Sequence, residues 1–181
     1  MMKYYVIDRD TGQYLATVEL DGTAVVNTPH ELILTPPNTH LDMWTGKDWY
    51  TPEPQPSPHH TFDYSIKQWV DPRSLDEIKA QKWVEIKSQR DQLEFGGFEF
   101  EGNTYDSDQV SQGRIMGAAV AGVDQVWTLA DNTTVELSAS QLQQLYAALQ
   151  AHIASVHERG RIARQLILEA ETKEQVEAVQ L

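Results

Sequence analysis

The chain has 181 residues, 40% of them hydrophobic, and it carries five tryptophans, no cysteine and a formal net charge of −13. This length and hydrophobic content predict one folded domain or two small ones rather than a disordered chain. The charge argues against nucleic acid and anionic membrane as partners, because both attract clustered Lys and Arg, and the lack of cysteine excludes disulfides and thiolate sites.

The first residues lack the apolar run of a secretory signal, and no window holds the ~18 apolar residues of a membrane span. We therefore expect the protein to act first in a cytoplasm. All eight prolines lie at or before Pro72. This shift in composition predicts an amino-terminal arm or small domain over residues 1–73, rich in β-structure, Pro and Trp, and an α+β domain over residues 74–181.

The first part contains alternating and aromatic-rich runs that are typical of short strands. "KYYVIDRDTGQYLATVEL" predicts a strand, a turn and a second strand, and "TPHELILTPPN" predicts one more extended segment. "LDMWTGKDWYTP" and "FDYSIKQWVDP" each predict a small aromatic hairpin. The class predicted for the whole chain is thus α+β, with hairpins before a compact helical domain that has two short hairpins of its own.

Asp8, Asp10 and Glu19 have the spacing of ligands in a calcium-binding loop. However, Gly12 takes the fifth position, where a ligand belongs, and Gln13 takes the sixth, where the turn needs glycine. We therefore interpret this segment as a hairpin turn.

Between the two aromatic hairpins lies "YTPEPQPSPHHTF", in which Pro52, Pro54, Pro56 and Pro58 alternate with other residues. In polyproline form, the ten residues 51–60 would span roughly 30 Å and hold the hairpins apart. A plain linker is the other interpretation, and the sequence leaves both open.

The second part begins with a capping box formed by Ser74 and Glu77, which predicts the start of a helix. A hairpin follows at "FGGFEFEGNTY", and Asp106 or Ser107 is predicted to cap a second helix. A further hairpin, "VWTLADNTTVEL", leads to a long helix whose capping box is Ser138 and Gln141. Two more predictions concern its end: Gly160 kinks or ends this helix, and Thr172 and Gln175 cap a last helical turn.

Gly113, Gly117 and Ala121 recur at every fourth position of the second predicted helix. Such a stripe of small residues lets another element approach closely. It is compatible with packing inside the domain and with self-association into a homo-oligomer.

No catalytic or metal-binding arrangement emerges from the sequence. No serine lies in a nucleophile elbow, and no glycine-rich loop has the spacing of a phosphate site. His59 and His60 point to opposite sides of an extended chain, and His152 and His157 are too far apart for one helical face, so we interpret all four as solvent-exposed. We expect a protein that is not an enzyme and has no cofactor or metal.

Aromatic residues crowd around the Pro segment in the first part. Trp is common among interface anchors because it buries a large area with few rotatable bonds. One interpretation is a partner-binding surface, and the other is a small core of the first part. The residues proposed for partner binding are Trp44, Trp49, Tyr50, Pro52, Pro54, Tyr64 and Trp69.

Several motifs in order carry a resemblance to a known family. The stretches "RDQLEFGGFEFEGNTYDSDQVSQGRIMGAAVAG" and "VWTLADNTTVELSASQLQQLYAALQAHI" resemble a carboxy-terminal domain of unknown function found in many tailed-phage and prophage proteins and associated with tail fibres. The resemblance covers about Ser74 to Leu181. The element "WTGKDW", from Trp44 to Trp49, is similar to one in phage tail-fibre assembly chaperones.

This resemblance implies a non-enzymatic protein that binds a phage tail fibre or another tail protein. It would act as an assembly chaperone or a fibre-associated protein in the host cytoplasm during assembly. The alternative is a permanent structural subunit of the virion tail, at the tail tip, at a fibre adaptor or in the baseplate.

Overall fold

The computed structural model describes residues 1–21 and 30–181, and this part of the chain forms two compact units, Met1–Arg73 and Ser74–Leu181. The first unit is built from short strands, and the second from helices with two hairpins. The predicted α+β class is therefore confirmed.

A three-stranded antiparallel sheet begins the first unit. Its strands are β1 (Met2–Ile7), β2 (Tyr14–Leu20) and β3 (Glu31–Ile33), in the order β2-β1-β3. β3 lies in the predicted extended segment, of which residues 28 and 29 fall outside the described residues.

The turn between β1 and β2 is organised by Asp8. Its carboxylate accepts hydrogen bonds from the backbone N–H groups of Thr11 and Asp10 at 2.8 and 3.0 Å, and these bonds hold the pKa of Asp8 below its ordinary value. The segment is thus the expected hairpin turn. Gly12 in this turn has a φ of +75°, and a Cβ there would collide with the carbonyl oxygen of Trp44, so the turn requires glycine.

Both aromatic hairpins predicted in the first unit are present. β4 (Met43–Trp44) pairs with β5 (Trp49–Tyr50), and β6 (Thr61–Asp63) pairs with β7 (Gln68–Val70). The backbone N–H of Trp44 donates to the carbonyl of Gly12 at 2.8 Å and so joins the first of these hairpins to the β1–β2 turn.

The Pro segment between the hairpins is not a straight spacer. The backbone N–H of His60 donates to the carbonyl of Ser57 at 3.1 Å, and the side chain of Gln55 donates to the carbonyl of His60 at 2.7 Å. The chain therefore turns back at residues 57–60. The predicted extended span of ten residues is therefore wrong. The two hydrogen bonds to and from His60 stabilise a turn, which the alternating prolines do not prevent.

Asp42 is buried in the first unit, with none of its surface exposed. Its carboxylate accepts hydrogen bonds from the Thr39 hydroxyl and the Asn38 N–H, both at 2.6 Å, and from the Thr51 hydroxyl at 2.9 Å. Burial raises the pKa of Asp42, but these donors together outweigh burial and hold the pKa below its ordinary value of 3.8. The Asp42 carboxylate thus connects the loop before β4 to Thr51, the residue that follows β5.

The second unit alternates helices with hairpins. Its elements are α1 (Leu75–Phe95), β8 (Phe98–Phe100), β9 (Asn103–Tyr105), α2 (Gln109–Ala121), β10 (Gln125–Thr128), β11 (Thr134–Leu137), α3 (Ala139–Glu169) and α4 (Lys173–Glu177). The three predicted capping boxes, at Ser74, Ser138 and Thr172, are all present. Both predicted hairpins are present as well.

The start of α2 differs from the prediction, because Asp108 is the N-cap rather than Asp106 or Ser107. The Ser107 side chain is buried and has another role. It donates to the carbonyl of Glu94 at 2.6 Å and accepts from the N–H of Gly97 at 2.9 Å. Ser107 therefore holds the end of α1 to the strand region, and the next residue caps the helix.

α3 continues through Gly160 to Glu169, so the predicted end of the helix at this glycine is wrong, while the alternative of a kink stays a prediction. Gly160 is buried, and the nearest atom to a Cβ built there is the Cδ of Arg90 at 3.3 Å. The missing side chain gives the aliphatic part of Arg90 room to pack between α1 and α3.

Two apolar clusters stabilise the second unit. The first joins the β8–β9 hairpin, α2 and the start of α3, and Leu142, Leu145 and Leu149 in it are fully buried. The second joins α1, the end of α3 and α4 around Ile86, Ile167 and Val176.

His152 and His157 are not simply solvent-exposed, as the sequence had suggested. The Nε2 of His152 lies 2.9 Å from the carbonyl of Leu93, and the Nε2 of His157 lies 2.9 Å from the carboxylate of Glu94. Both side chains are partly buried and connect α3 to the end of α1.

The stripe of small residues on α2 faces outward. Gly113, Gly117 and Ala121 are exposed, and no atom lies within 4 Å of a Cβ built at either glycine. The prediction that this stripe packs inside the domain is therefore wrong.

In the described ranges 1–21 and 30–181, no helix combines the length and the apolar composition needed to cross a membrane.

Candidate functional site

The aromatic residues proposed for partner binding form two groups in the first unit. In the first group, the ring of Trp49 lies 5.3 Å from that of Trp44 and 6.3 Å from that of Tyr14, both edge-to-face. In the second group, the ring of Phe62 lies 5.0 Å from that of Tyr64 and 5.4 Å from that of Trp69, again edge-to-face. Such pairs add a modest attraction beyond the area that they bury.

Hydrogen bonds to backbone carbonyls fix the orientation of these rings. The indole N–H of Trp49 donates to Thr35 at 2.9 Å, and that of Trp69 donates to Glu53 at 2.8 Å. The hydroxyl of Tyr64 donates to the carbonyl of Leu41 at 3.1 Å. Because their polar atoms already have partners inside the unit, these side chains offer mainly apolar ring surface to a ligand.

The proposed residues differ in how much surface they offer. Trp44, Trp49, Tyr64 and Trp69 are partly buried, and Tyr50 is 41% exposed. Two further members of the proposed set, Pro52 and Pro54, are buried and exposed respectively. Pro52 therefore packs inside the unit, while the other residues retain surface that a partner can contact.

A groove of about 360 Å³ opens beside these rings and involves three turns of the unit. Trp44 and Tyr64 line it, together with residues of the β1–β2 turn and of the β6–β7 turn. We call this surface the aromatic groove; the exposed Tyr50 lies on β5, in the same hairpin as Trp44, but does not line the groove.

The charges around the aromatic groove are mixed. Arg9 and Lys67 contribute cations to its lining, and Asp10 and Glu31 contribute carboxylates. Burial and the nearby Asp42 carboxylate raise the pKa of the Tyr64 hydroxyl above its ordinary value, so this side chain is neutral at physiological pH. A groove with a mainly polar lining, two aromatic rings and both signs of charge suits a peptide segment that presents charged, polar and aromatic side chains.

Sequence reasoning selected the aromatic residues of the groove but missed its charged ones. Arg9 and Lys67 are 58 positions apart in the chain, and the folded turns bring both to one groove. The sequence indicated only a turn at "DYSIKQ". In the structure, this turn holds Lys67 at a positive φ of 56°. Within the described residues, the groove included, no group of three or more His, Asp and Glu side chains is placed to hold a metal ion.

A comparison with protein families assigns the second unit. The family model described as Domain of unknown function (DUF4376) matches residues 77–180, which is more than half of the chain. The chain belongs to the DUF4376 family. The match runs from the first turn of α1 to the residues after α4, so the DUF4376 domain includes both apolar clusters.

No curated protein and no solved structure matches this chain. The aromatic groove lies before residue 77 and therefore outside the DUF4376 match. The DUF4376 match therefore gives no information about the role of the groove.

Proposed function

We propose that this protein is a non-enzymatic binding protein of a tailed phage, acting as a tail-fibre assembly chaperone or a fibre-associated protein. Its first unit contacts a segment of a fibre chain through the aromatic groove. The second unit, the DUF4376 domain, is the stable scaffold that carries it. The resemblance of residues 74–181 and of "WTGKDW" to tail-associated proteins supports the phage assignment.

The observation that carries the binding function is the fixed, partly exposed set of aromatic rings. Trp44, Trp49 and Tyr64 are held by ring contacts and by hydrogen bonds within the unit. Rings that are already ordered lose little conformational entropy on docking, and aromatic side chains supply much of the energy of protein interfaces.

An unassembled fibre chain would be stabilised in solution by a partner that covers its exposed surface. Before trimerisation, its strands expose unpaired edges and apolar surface, which are prone to aggregation. A protein that covers this surface until assembly would keep the chain soluble. Mixed charge around the groove would let the contact dissociate when the trimer forms, because rim charges contribute little binding energy.

Coexpression with the neighbouring fibre gene tests the proposal. We expect soluble fibre in the presence of this protein and aggregated fibre without it. The double variant Trp44→Ala/Tyr50→Ala should lose most of the solubilising effect and should no longer copurify with the fibre, while Leu34→Ala, which changes an apolar side chain that is 59% exposed, should retain both.

Two outcomes would contradict the proposal. Equal solubility of the fibre with and without this protein would exclude the chaperone role. Full activity of the double variant would exclude the aromatic groove as the contact. Mass spectrometry of purified particles separates the chaperone from a permanent tail subunit, because an assembly factor is absent or substoichiometric there.

A further inference from the structure

The outer face of α2 is an exposed apolar patch in the DUF4376 domain, well separated in sequence from the aromatic groove. Val110 is 61% exposed, Met116 49% and Val120 81%. Val126, on the neighbouring β10, is 66% exposed and lines the same surface groove as Gly117. We call this surface the α2 face; its residues are Val110, Gly113, Met116, Gly117, Val120 and Val126.

Four residues of the α2 face lie opposite the buried side of the helix, while Met116 and Val126 lie at the two edges of the face. Ile115 is fully buried and points into the first apolar cluster. At about 100° per residue, Val110, Gly113, Gly117 and Val120 all fall within about 40° of the direction opposite Ile115. The helix thus has apolar residues on its outer side, where a surface helix normally carries polar or charged ones.

The valines and glycines of the α2 face are arranged symmetrically about Ile115, so the series valine, glycine, glycine, valine reads the same from either end of the helix. Val110 and Val120 lie five positions to either side of Ile115, and Gly113 and Gly117 lie two positions to either side. A two-fold contact between identical chains requires such self-complementarity, because residue i meets j and j meets i. In an antiparallel pair of α2 helices, each valine would meet the other valine and each glycine the other glycine.

The glycines permit the backbones of two such helices to approach closely. A Cβ built at Gly113 or Gly117 meets no atom within 4 Å, so the space above the helix is open along its middle. Two valines would then pack at each end of the contact. Antiparallel packing also places the positive end of each helix dipole near the negative end of the other.

The charge on α2 permits contact with a second copy. Each chain carries a formal net charge of −13, so two copies repel each other over most of their surface. α2 contains one charged residue, Arg114, and no acidic one. It therefore presents a face on which two copies meet without adding carboxylates to the contact.

The area is sufficient for a weak dimer. The four large side chains of the face expose on the order of 400 Å² per copy, which is the size at which an apolar patch on a monomer commonly has a function. Two copies, with their glycine backbones, would bury about 1,000 Å², near the lower limit of specific interfaces.

We infer that the protein forms a two-fold symmetric homodimer through antiparallel packing of the α2 face. This contact shares no residue with the aromatic groove. The inference does not depend on the proposed function, since it concerns a second copy of this chain alone.

Sedimentation equilibrium of the full chain tests the dimer between about 5 and about 500 µM, since contacts of this size dissociate in the micromolar range. The mass should rise from 20.5 kDa toward twice that value as concentration rises. Val120→Glu should give a monomer throughout, whereas Val84→Glu, at a position on α1 that is 61% exposed, should behave as the parent chain. A mass of 20.5 kDa at every concentration, or a dimer unaffected by Val120→Glu, would overturn the inference.

The absence of cysteine allows a sharper test of the antiparallel arrangement. In the proposed dimer, position 110 of one copy lies near position 120 of the other copy. Position 110 of one copy and position 110 of the other are then about 15 Å apart along the helix axis, because ten residues at ~1.5 Å each separate positions 110 and 120. A disulfide needs Cα atoms within about 7 Å. An equimolar mixture of Val110→Cys and Val120→Cys should form a mixed disulfide dimer, while each variant alone should cross-link no faster than Val84→Cys. Faster cross-linking of a single variant than of the mixture would contradict the arrangement.

Salt provides a third readout. Because the apolar contact opposes repulsion between two acidic chains, added salt should strengthen the dimer by screening that repulsion. A dimer that weakens as salt increases would indicate intermolecular ion pairs and would contradict a contact through the α2 face.

Discussion

The first unit buries a hydrogen-bonded carboxylate, Asp42, beside a few apolar side chains such as Ile7 and Met43, whereas the second unit has two clusters of apolar side chains. Both apolar clusters found in the described residues lie in the second unit. Apolar packing depends mainly on the area that is buried, while a buried carboxylate depends on charge and on the exact placement of its donors. The first unit should therefore be sensitive to the protonation of Asp42, and the second to the loss of core volume.

This difference also explains where the aromatic rings are. In the second unit, aromatic side chains such as Tyr105 and Phe98 are buried in the first cluster. In the first unit, Trp44 and Trp69 are only partly buried, because short hairpins cannot cover them fully. A unit that orders its rings without burying them is suited to contact another chain.

The largest expected effect is the loss of core volume in the second unit. Leu145→Ala removes a fully buried side chain from the first cluster and should lower the free energy of unfolding by about 3 kcal/mol. Leu166→Ala makes the same chemical change on the same helix at a position that is 48% exposed, and should cost less than about 0.5 kcal/mol. Urea unfolding of both variants would measure the difference, and equal costs would contradict the proposed core.

A smaller effect is expected from Asp42→Asn in the first unit. The substitution keeps the shape but places an NH₂ group where the carboxylate oxygens accept bonds from Thr39, Thr51 and Asn38. We expect a loss of about 2 kcal/mol, confined to the first unit. Fluorescence in a Trp83→Phe/Trp127→Phe background, in which the remaining indoles all lie in the first unit, would measure it, with the exposed Asp48→Asn as the control.

The same residue gives the first unit its pH dependence. Because the pKa of Asp42 is lower in the folded chain than its ordinary value of 3.8, ionised Asp42 contributes stability above that value. This stability is lost as the pH falls through the lower, folded pKa. Between pH 6 and 2.5, the stability of the first unit should fall more steeply in the parent than in Asp42→Asn, and parallel curves would contradict the role of the carboxylate.

The smallest of these effects concerns a helix cap. Ser138 accepts the N–H of Gln141 at 3.2 Å at the start of α3, and Ser138→Ala should cost about 1 kcal/mol. Ser138→Asp, which retains a capping oxygen, should recover most of that loss. Ser140→Ala, an exposed position inside the helix, should be close to neutral, and thermal unfolding of the three variants would show the order.

Features that depend on neighbouring residues could be predicted from the sequence. The capping boxes at Ser74 and Ser138 involve side chains three positions apart, and the hairpins follow from alternation and turn residues. The exact start of α2 could not be predicted, because Ser107 bonds to Glu94 and Gly97, partners that the local pattern does not reveal.

Long-range contacts account for the other differences. His157 meets Glu94 across 63 positions, and no local pattern indicates that pairing. Likewise, the sequence selected Trp44 and Tyr64 for the candidate site but not Arg9 and Lys67, because the aromatic groove is formed by separate turns. The spacing of Gly113 and Gly117 is the same for an internal stripe and a surface stripe, so only the fold could decide between them.

α3 is one uninterrupted helix of 31 residues, about 46 Å long at ~1.5 Å per residue. Leu145 near its start belongs to one apolar cluster, and Ile167 near its end belongs to the other. Neither cluster can therefore rotate against the other without breaking the hydrogen bonds of this helix. A displacement of one cluster should therefore be transmitted along this helix to the other, so that the two ends of the domain are mechanically coupled.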